Sequence, residues 1–133
     1  MAEFIEQYQI DIRQFDYIAP LPLFSARFRE RGYNQSLLLA QELVNKLSLG
    51  PLAELLVKTR HTKTQTDLSQ KERWTNIYQA FRIKPSVEVH GKNILIVDDL
   101  LTTGATASEA ARCLKEAGAN TVGIVTLAIA TFL

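Results

Sequence analysis

Cysteine is all but missing from this chain. Cys113 is the one thiol in 133 residues, which excludes an internal disulfide and any zinc site built on several cysteines. It also fits a reducing compartment. Neither sign of charge is in excess: 15 Lys and Arg stand against 14 Asp and Glu, a net charge of +1. No global field therefore draws the chain to nucleic acid or to an acidic membrane. No apolar run reaches the ~20 residues that cross a bilayer as a helix. The most apolar stretch, Val122 to Leu133, is shorter and reads as a buried strand. The N-terminus, MAEFIEQYQIDIR, is amphipathic and carries acids, without the apolar core of a signal peptide. A cytoplasmic protein with no membrane insertion is expected. Internal repeats, low-complexity tracts and Pro/Gly/Ser linkers are also absent. What is left is an ordinary globular composition, 47% hydrophobic and 22% charged, suited to one domain over 1–133 with a core of its own. Residues 1–15 are expected to form an N-terminal helix at the periphery of that domain.

Along the chain, helical and extended patterns alternate. Phe4 to Ile12 reads as a short helix, and Tyr17 to Leu23 as a strand that its prolines end early. A basic stretch from Phe24 to Tyr33 follows. Asn34 is then an N-cap for an amphipathic helix marked by Leu37, Ala40, Val44 and Leu47. Gly50-Pro51 stops it. Leu55 to Lys58 is a short strand. Thr59 to Leu68 has no apolar period and reads as an exposed loop. Ser69 and Glu72 make a capping box for a helix to Gln79, and Phe81 to Ile83 is a short strand. Asn93 to Val97 is an unbroken aliphatic strand, buried on both faces. Ala105 to Ala117 is a helix closed by Gly118, and Thr121 to Ala128 is again a buried strand. The last part is a βαβ unit, so the fold class is α/β with a mostly parallel central sheet flanked by helices.

Ligands in such sheets sit beyond the carboxyl ends of the strands, and there the sequence reads VDDLLTTGAT. Asp98 and Asp99 repel each other unless a donor or a cation shares their site. A cis-diol offers two hydroxyl donors at a suitable separation, with or without a divalent cation. Thr102, Thr103, Gly104, Ala105 and Thr106 open the next helix, whose free N–H groups and dipole favour an anion. Gly104 lets the backbone curl close to a phosphate. Together these segments read as a grip for a ribose 5-phosphate. The plainer alternatives are a turn with a threonine cap, or an acidic pocket that binds Mg2+ and accepts phosphate, as in receiver domains.

The same stretch resembles the signature by which type I phosphoribosyltransferases bind phosphoribosyl pyrophosphate (PRPP). RERGYNQ and TQ-x-x-LS-x-x-x-R-x-x-N narrow the resemblance to the ComF family of competence-associated proteins, from about Tyr17 onward. The resemblance implies a type I phosphoribosyltransferase fold with a flexible lid loop. It also implies ribose binding at Asp98 and Asp99, which makes them the catalytic candidates, and 5′-phosphate binding at 102–106. Mg2+ would come with PRPP as substrate, with no direct metal ligand set. Arg27, Arg29 and Arg31 then fall on a pyrophosphate loop, and Arg60 and Lys63 on the lid, where they could reach the same group. Without the resemblance, both segments read as solvated loops. Many ComF proteins begin with a four-cysteine zinc ribbon that this sequence lacks, so a short form or a fragment of a longer protein is expected. His61 is a lone histidine in the loop and earns no general-base role. Trp74, Ile77, Tyr78, Phe81 and Cys113 read as core.

Two functions follow. One is transfer of the phosphoribosyl group from PRPP to an acceptor that the sequence does not identify. The other is a competence or DNA-uptake module that binds single-stranded DNA on Arg27, Arg29, Arg31, Arg60, Lys63, Lys71 and Arg73, with Tyr33 or Trp74 to stack. Competence proteins and a second copy in a homodimer are the partners left open.

Overall fold

The structure is a computed structural model and describes residues 1–23, 29–60 and 69–130. Its spine is β4 (Asn93–Leu101), with β1 (Tyr17–Pro20) on one side and β5 (Thr121–Ile129) on the other, all parallel. Ile94, Leu95, Ile96 and Val97 are each at most 3% exposed. Side chains alternate between the faces of a strand, so these four feed two separate cores. Ile94 and Ile96 pack with Ala107, Ala110 and Leu114 of α4 (Ala105–Glu116). Leu95 and Val97 pack with Ala40, Leu43 and Leu47 of α2 (Gln35–Leu47) and with Ala2 and Ile5 of α1 (Ala2–Gln7). Burying each such aliphatic side chain stabilises the fold by about 1.5–3 kcal/mol. Helices on both faces of a parallel sheet are the α/β architecture expected. The two short strands β2 (Leu56–Lys58) and β3 (Phe81–Ile83) pair antiparallel in a separate small sheet. Among the described residues, no helix is long and apolar enough to cross a membrane.

Local chemistry sets the helix ends. The Asn34 side chain accepts from the Ser36 N–H at the start of α2. In α3 (Gln70–Ile77) the capping box is complete, with Ser69 and Glu72 each satisfying the other's backbone N–H. Gly118, at φ +97°, supplies the left-handed turn after α4.

Several expectations need correction. The first helix ends at Gln7 and not at Ile12, because Gln9 turns left-handed at φ +50° and Ile12 folds back into the core. The buried stripe of α2 is Ser36, Ala40, Leu43 and Leu47, rotated by one residue at two positions from the expected Leu37 and Val44. β4 runs on through the acidic pair to Leu101, because β5 accompanies it that far. β5 itself is not buried: it is an edge strand, and Ile124, Leu127 and Ile129 are exposed. An apolar run alone does not say whether a strand is central or at the edge. Trp74 and Tyr78 are also exposed, whereas Ile77 and Phe81 are core.

One buried acid joins α3 to α4. Glu109, on the inner face of α4, accepts from the Gln79 N–H just after α3 and pairs with Arg112 one turn on. Arg112 also stacks over the Tyr78 ring, 5.4 Å from its centre. Removing the acid strands a backbone donor and leaves Arg112 to its other partner, Glu116, so Glu109→Ala is expected to lower stability by about 1–3 kcal/mol. Glu109→Gln, which keeps an acceptor, is expected to lose less. Urea denaturation of the two variants measures the difference.

Candidate phosphoribosyl site

β1 stops opposite Val97, so Asp98 is the first residue of β4 beyond the carboxyl end of its neighbour. β5 continues alongside on the other edge. The strand therefore carries the acidic pair out of the dry core into a half-buried position. Asp98 Oδ1 accepts two hydrogen bonds, from Ser36 Oγ at 3.0 Å and from the Asp99 N–H at 2.8 Å. Burial pushes the Asp98 carboxyl up to about 6. The Asp99 N–H pulls the other way, the neighbouring Asp99 carboxyl adds to the rise, and the Ser36 hydroxyl opposes it.

The turn after β4 is built for close approach. Gly104 is the N-cap of α4 at φ +80°, a conformation that side-chain-bearing residues rarely adopt. As a glycine it offers the helix no side-chain cap of its own. Thr103 Oγ1 accepts from the Ala105 N–H at 3.3 Å, which folds the loop inward. Ala105 is buried in the core, while Thr102, Thr103, Gly104 and Thr106 are half-buried. A 12-residue helix thus directs its positive end at the mouth of the site.

The other candidate residues are dispersed. Arg29 and Arg31 are exposed, in a single helical turn at 29–31. Arg60 donates to the Tyr78 carbonyl at 2.6 Å, at the end of α3. Arg27 and Lys63 lie outside the described residues, as does His61. The structure therefore brings together Asp98, Asp99 and residues 102–106. It adds Ser36, which sequence reasoning missed. The available signal was its place at the head of the buried stripe of α2, where a hydroxyl must find a partner. At the same end of the sheet, a cleft of about 530 Å3 is lined by Pro22, Asn34, Glu54, Lys58 and Lys84 among others. Lys58 stands at the head of the basic segment that runs on to Lys63, and Lys84 carries no spacing that marks it in the sequence.

Comparison with known proteins agrees with this fold. The phosphoribosyl transferase domain family matches residues 34–130. The DNA utilization protein YhgH of Salmonella typhi is 40% identical over 109 residues, 82% of this chain and 47% of that one. Competence protein ComFC of Bacillus subtilis is 40% identical over 101 residues, 76% of this chain and 39% of that one. The chain thus spans about half the length, or less, of these relatives. A purine phosphoribosyltransferase of Pyrococcus horikoshii superposes with a TM-score of 0.54 at 21% identity, over 96% of this chain and 66% of that one. That likeness concerns the fold.

An acid held near 6 makes a pH prediction. The folded state holds the Asp98 proton more tightly than the unfolded chain, whose value is near 3.8. Ionised Asp98 therefore lowers stability, in full above about pH 6 and not at all well below pH 4. Asp98→Asn is expected to raise stability at pH 7.5 by about 1–3 kcal/mol, with the gain fading toward pH 4. Thermal melts at the two pH values measure it. The fold, the matched domain and the identity to competence proteins assign the chain to the ComF family of type I phosphoribosyltransferases.

Proposed function

We propose that the chain binds PRPP and transfers its phosphoribosyl group to an acceptor. The observation that carries this reading is the unbroken order of strand, acidic pair, glycine-centred turn and helix N-terminus. Asp98 and Asp99 accept from the ribose hydroxyls, and residues 102–106 hold the 5′-phosphate at the start of α4. Lys58 and Lys84 beside the cleft, together with Arg29 and Arg31, supply positive charge for the pyrophosphate. Arg27, Lys63 and, from its anchored place, Arg60 are further candidates for that group.

Mg2+ fits this donor set. Among the described residues no group of three or more His, Cys, Asp or Glu could hold a metal alone. A hard cation that keeps its waters and binds through one or two carboxylates plus substrate phosphates suits an adjacent aspartate pair. It would neutralise charge on the departing pyrophosphate. The protein's part is orientation and electrostatics: the carboxylates stabilise positive charge growing at the sugar, and the turn fixes the phosphate end. No strong base is needed. The acceptor site would draw on the surroundings of this cleft.

Calorimetric titration of PRPP with Mg2+ tests the proposal. Saturable binding by the wild type, weakened at least about tenfold in Asp98→Asn/Asp99→Asn, is the expected result. Absence of wild-type binding would overturn it.

A second reading rests on the printed names of the relatives, which speak of DNA utilization and competence. Tyr33 and Trp74 are 48% and 45% exposed, and Arg29 and Arg31 are exposed as well. Such groups suit single-stranded DNA, by stacking and phosphate contact. Oligonucleotide binding that weakens steeply with salt would support this reading. No binding at low salt would end it.

A further inference from the structure

A closed ring of hydrogen bonds surrounds the root of the site. The Leu21 N–H, at the exit of β1, donates to the Val97 carbonyl at 3.0 Å. The Leu21 carbonyl accepts from Asn34 Nδ2 at 3.0 Å. Asn34 Oδ1 accepts from the Ser36 N–H at 3.0 Å. Ser36 Oγ reaches Asp98 Oδ1 at 3.0 Å, and Asp98 follows Val97 in the chain. Leu21, Asn34 and Ser36 are 4%, 8% and 4% exposed. The ring is therefore dry along Leu21, Asn34 and Ser36 and meets solvent at the half-buried Asp98; in its dry part hydrogen bonds are strong and a missing partner is costly.

Three things meet in this ring. Asn34 uses both ends of its amide, so its orientation is fixed from two sides. Leu21 and Asn34 are the two roots of the segment that carries Arg27, Arg29 and Arg31, and one side-chain bond holds them together. Ser36 and the Asp99 N–H both land on Oδ1 of Asp98, so neither donor falls on Oδ2. An aspartate next to a like charge and half out of water has reasons to turn or to take up a proton. The Ser36 donor opposes both.

We infer that Ser36 and Asn34 are positioning residues that lock the Asp98 carboxylate with Oδ2 toward the ligand and tie it to the roots of the arginine-bearing segment. The ligand half of this inference rests on the PRPP reading; the lock itself does not. The charged group that acts on Asp98 from its own strand is Asp99, and α2 contributes the Ser36 hydroxyl. Ser36→Ala removes that donor and leaves the Asp99 N–H as the remaining hydrogen bond on Oδ1. Ser36→Thr keeps the hydroxyl.

The experiment is a crystal structure of Ser36→Ala and of Ser36→Thr, read for the orientation of the Asp98 carboxylate, joined to PRPP–Mg2+ calorimetry of the wild type and both variants. If the inference holds, Asp98 turns or takes up two orientations in Ser36→Ala and keeps its single orientation in Ser36→Thr. The affinity of Ser36→Ala then falls about threefold to tenfold, as the loss of one hydrogen bond to the anion predicts, and Ser36→Thr retains it. A merely structural role for Ser36 would lower thermal stability and leave the Asp98 orientation where it was. An unmoved Asp98 in a folded Ser36→Ala protein overturns the lock. If the wild type binds no PRPP, the proposed function fails, and the structural arm still decides the lock.

Discussion

The burial of Ile94 to Val97 on both faces of β4 is the constraint from which the rest follows. A strand that feeds two cores cannot shift by one residue without exchanging Ile94 and Ile96 for Leu95 and Val97 on opposite sides. Its register against β1 and β5 is thereby fixed. The chain must leave the dry layer at Asp98, at the carboxyl end of β1. The position of the acidic pair is thus a consequence of packing, set by residues that never touch a ligand. The same layer fixes α4. Ala107, Ala110 and Leu114 pack on Ile94 and Ile96, so the N-terminus of that helix lies where the strand emerges.

Stability and site chemistry pull against each other at Asp98. Burial raises its carboxyl to about 6, so at neutral pH the fold carries a charge it would hold more easily as the acid. Among the described residues, the protein answers with donors and not with a cation. Ser36 and the Asp99 N–H approach from one side. A lysine or arginine paired with Asp98 would relieve more of the strain and would also occupy the place that the proposed function gives to a diol or a metal. A neutral hydroxyl steadies the anion while leaving its charge available. Functional sites in general keep such unfavourable arrangements, at some expense in stability.

The sequence made the strand–acid–turn–helix order legible because each part has a local physical signature. Four consecutive branched aliphatics mark a strand buried on both sides, and a glycine between threonines marks a turn before a helix. The Asn34 cap and the Ser69–Glu72 box could be read for the same reason, since both are contacts within one turn. What stayed hidden depends on partners far along the chain. Ser36 bonds to a residue 62 positions away. Glu109 reaches back to Gln79. β5 looked as buried as β4, because hydropathy does not reveal which strand lies at the edge.

The helical phase of α2 shows how little separates the two kinds of knowledge. Reading its stripe from Leu37 and Val44 leaves Ser36 at the margin of the apolar face, one more polar residue at the edge of a solvated helix. The observed stripe, Ser36, Ala40, Leu43 and Leu47, turns the same helix enough to bring the hydroxyl inward. Three apolar members of that stripe pack against the second core. The fourth stands at the top of the helix, where the core ends and the site begins. A hydrophobic residue there would seal the layer and leave Asp98 without its donor from α2. A hydroxyl in that place continues the packing and starts the chemistry, which is why the boundary between core and site runs through one side chain.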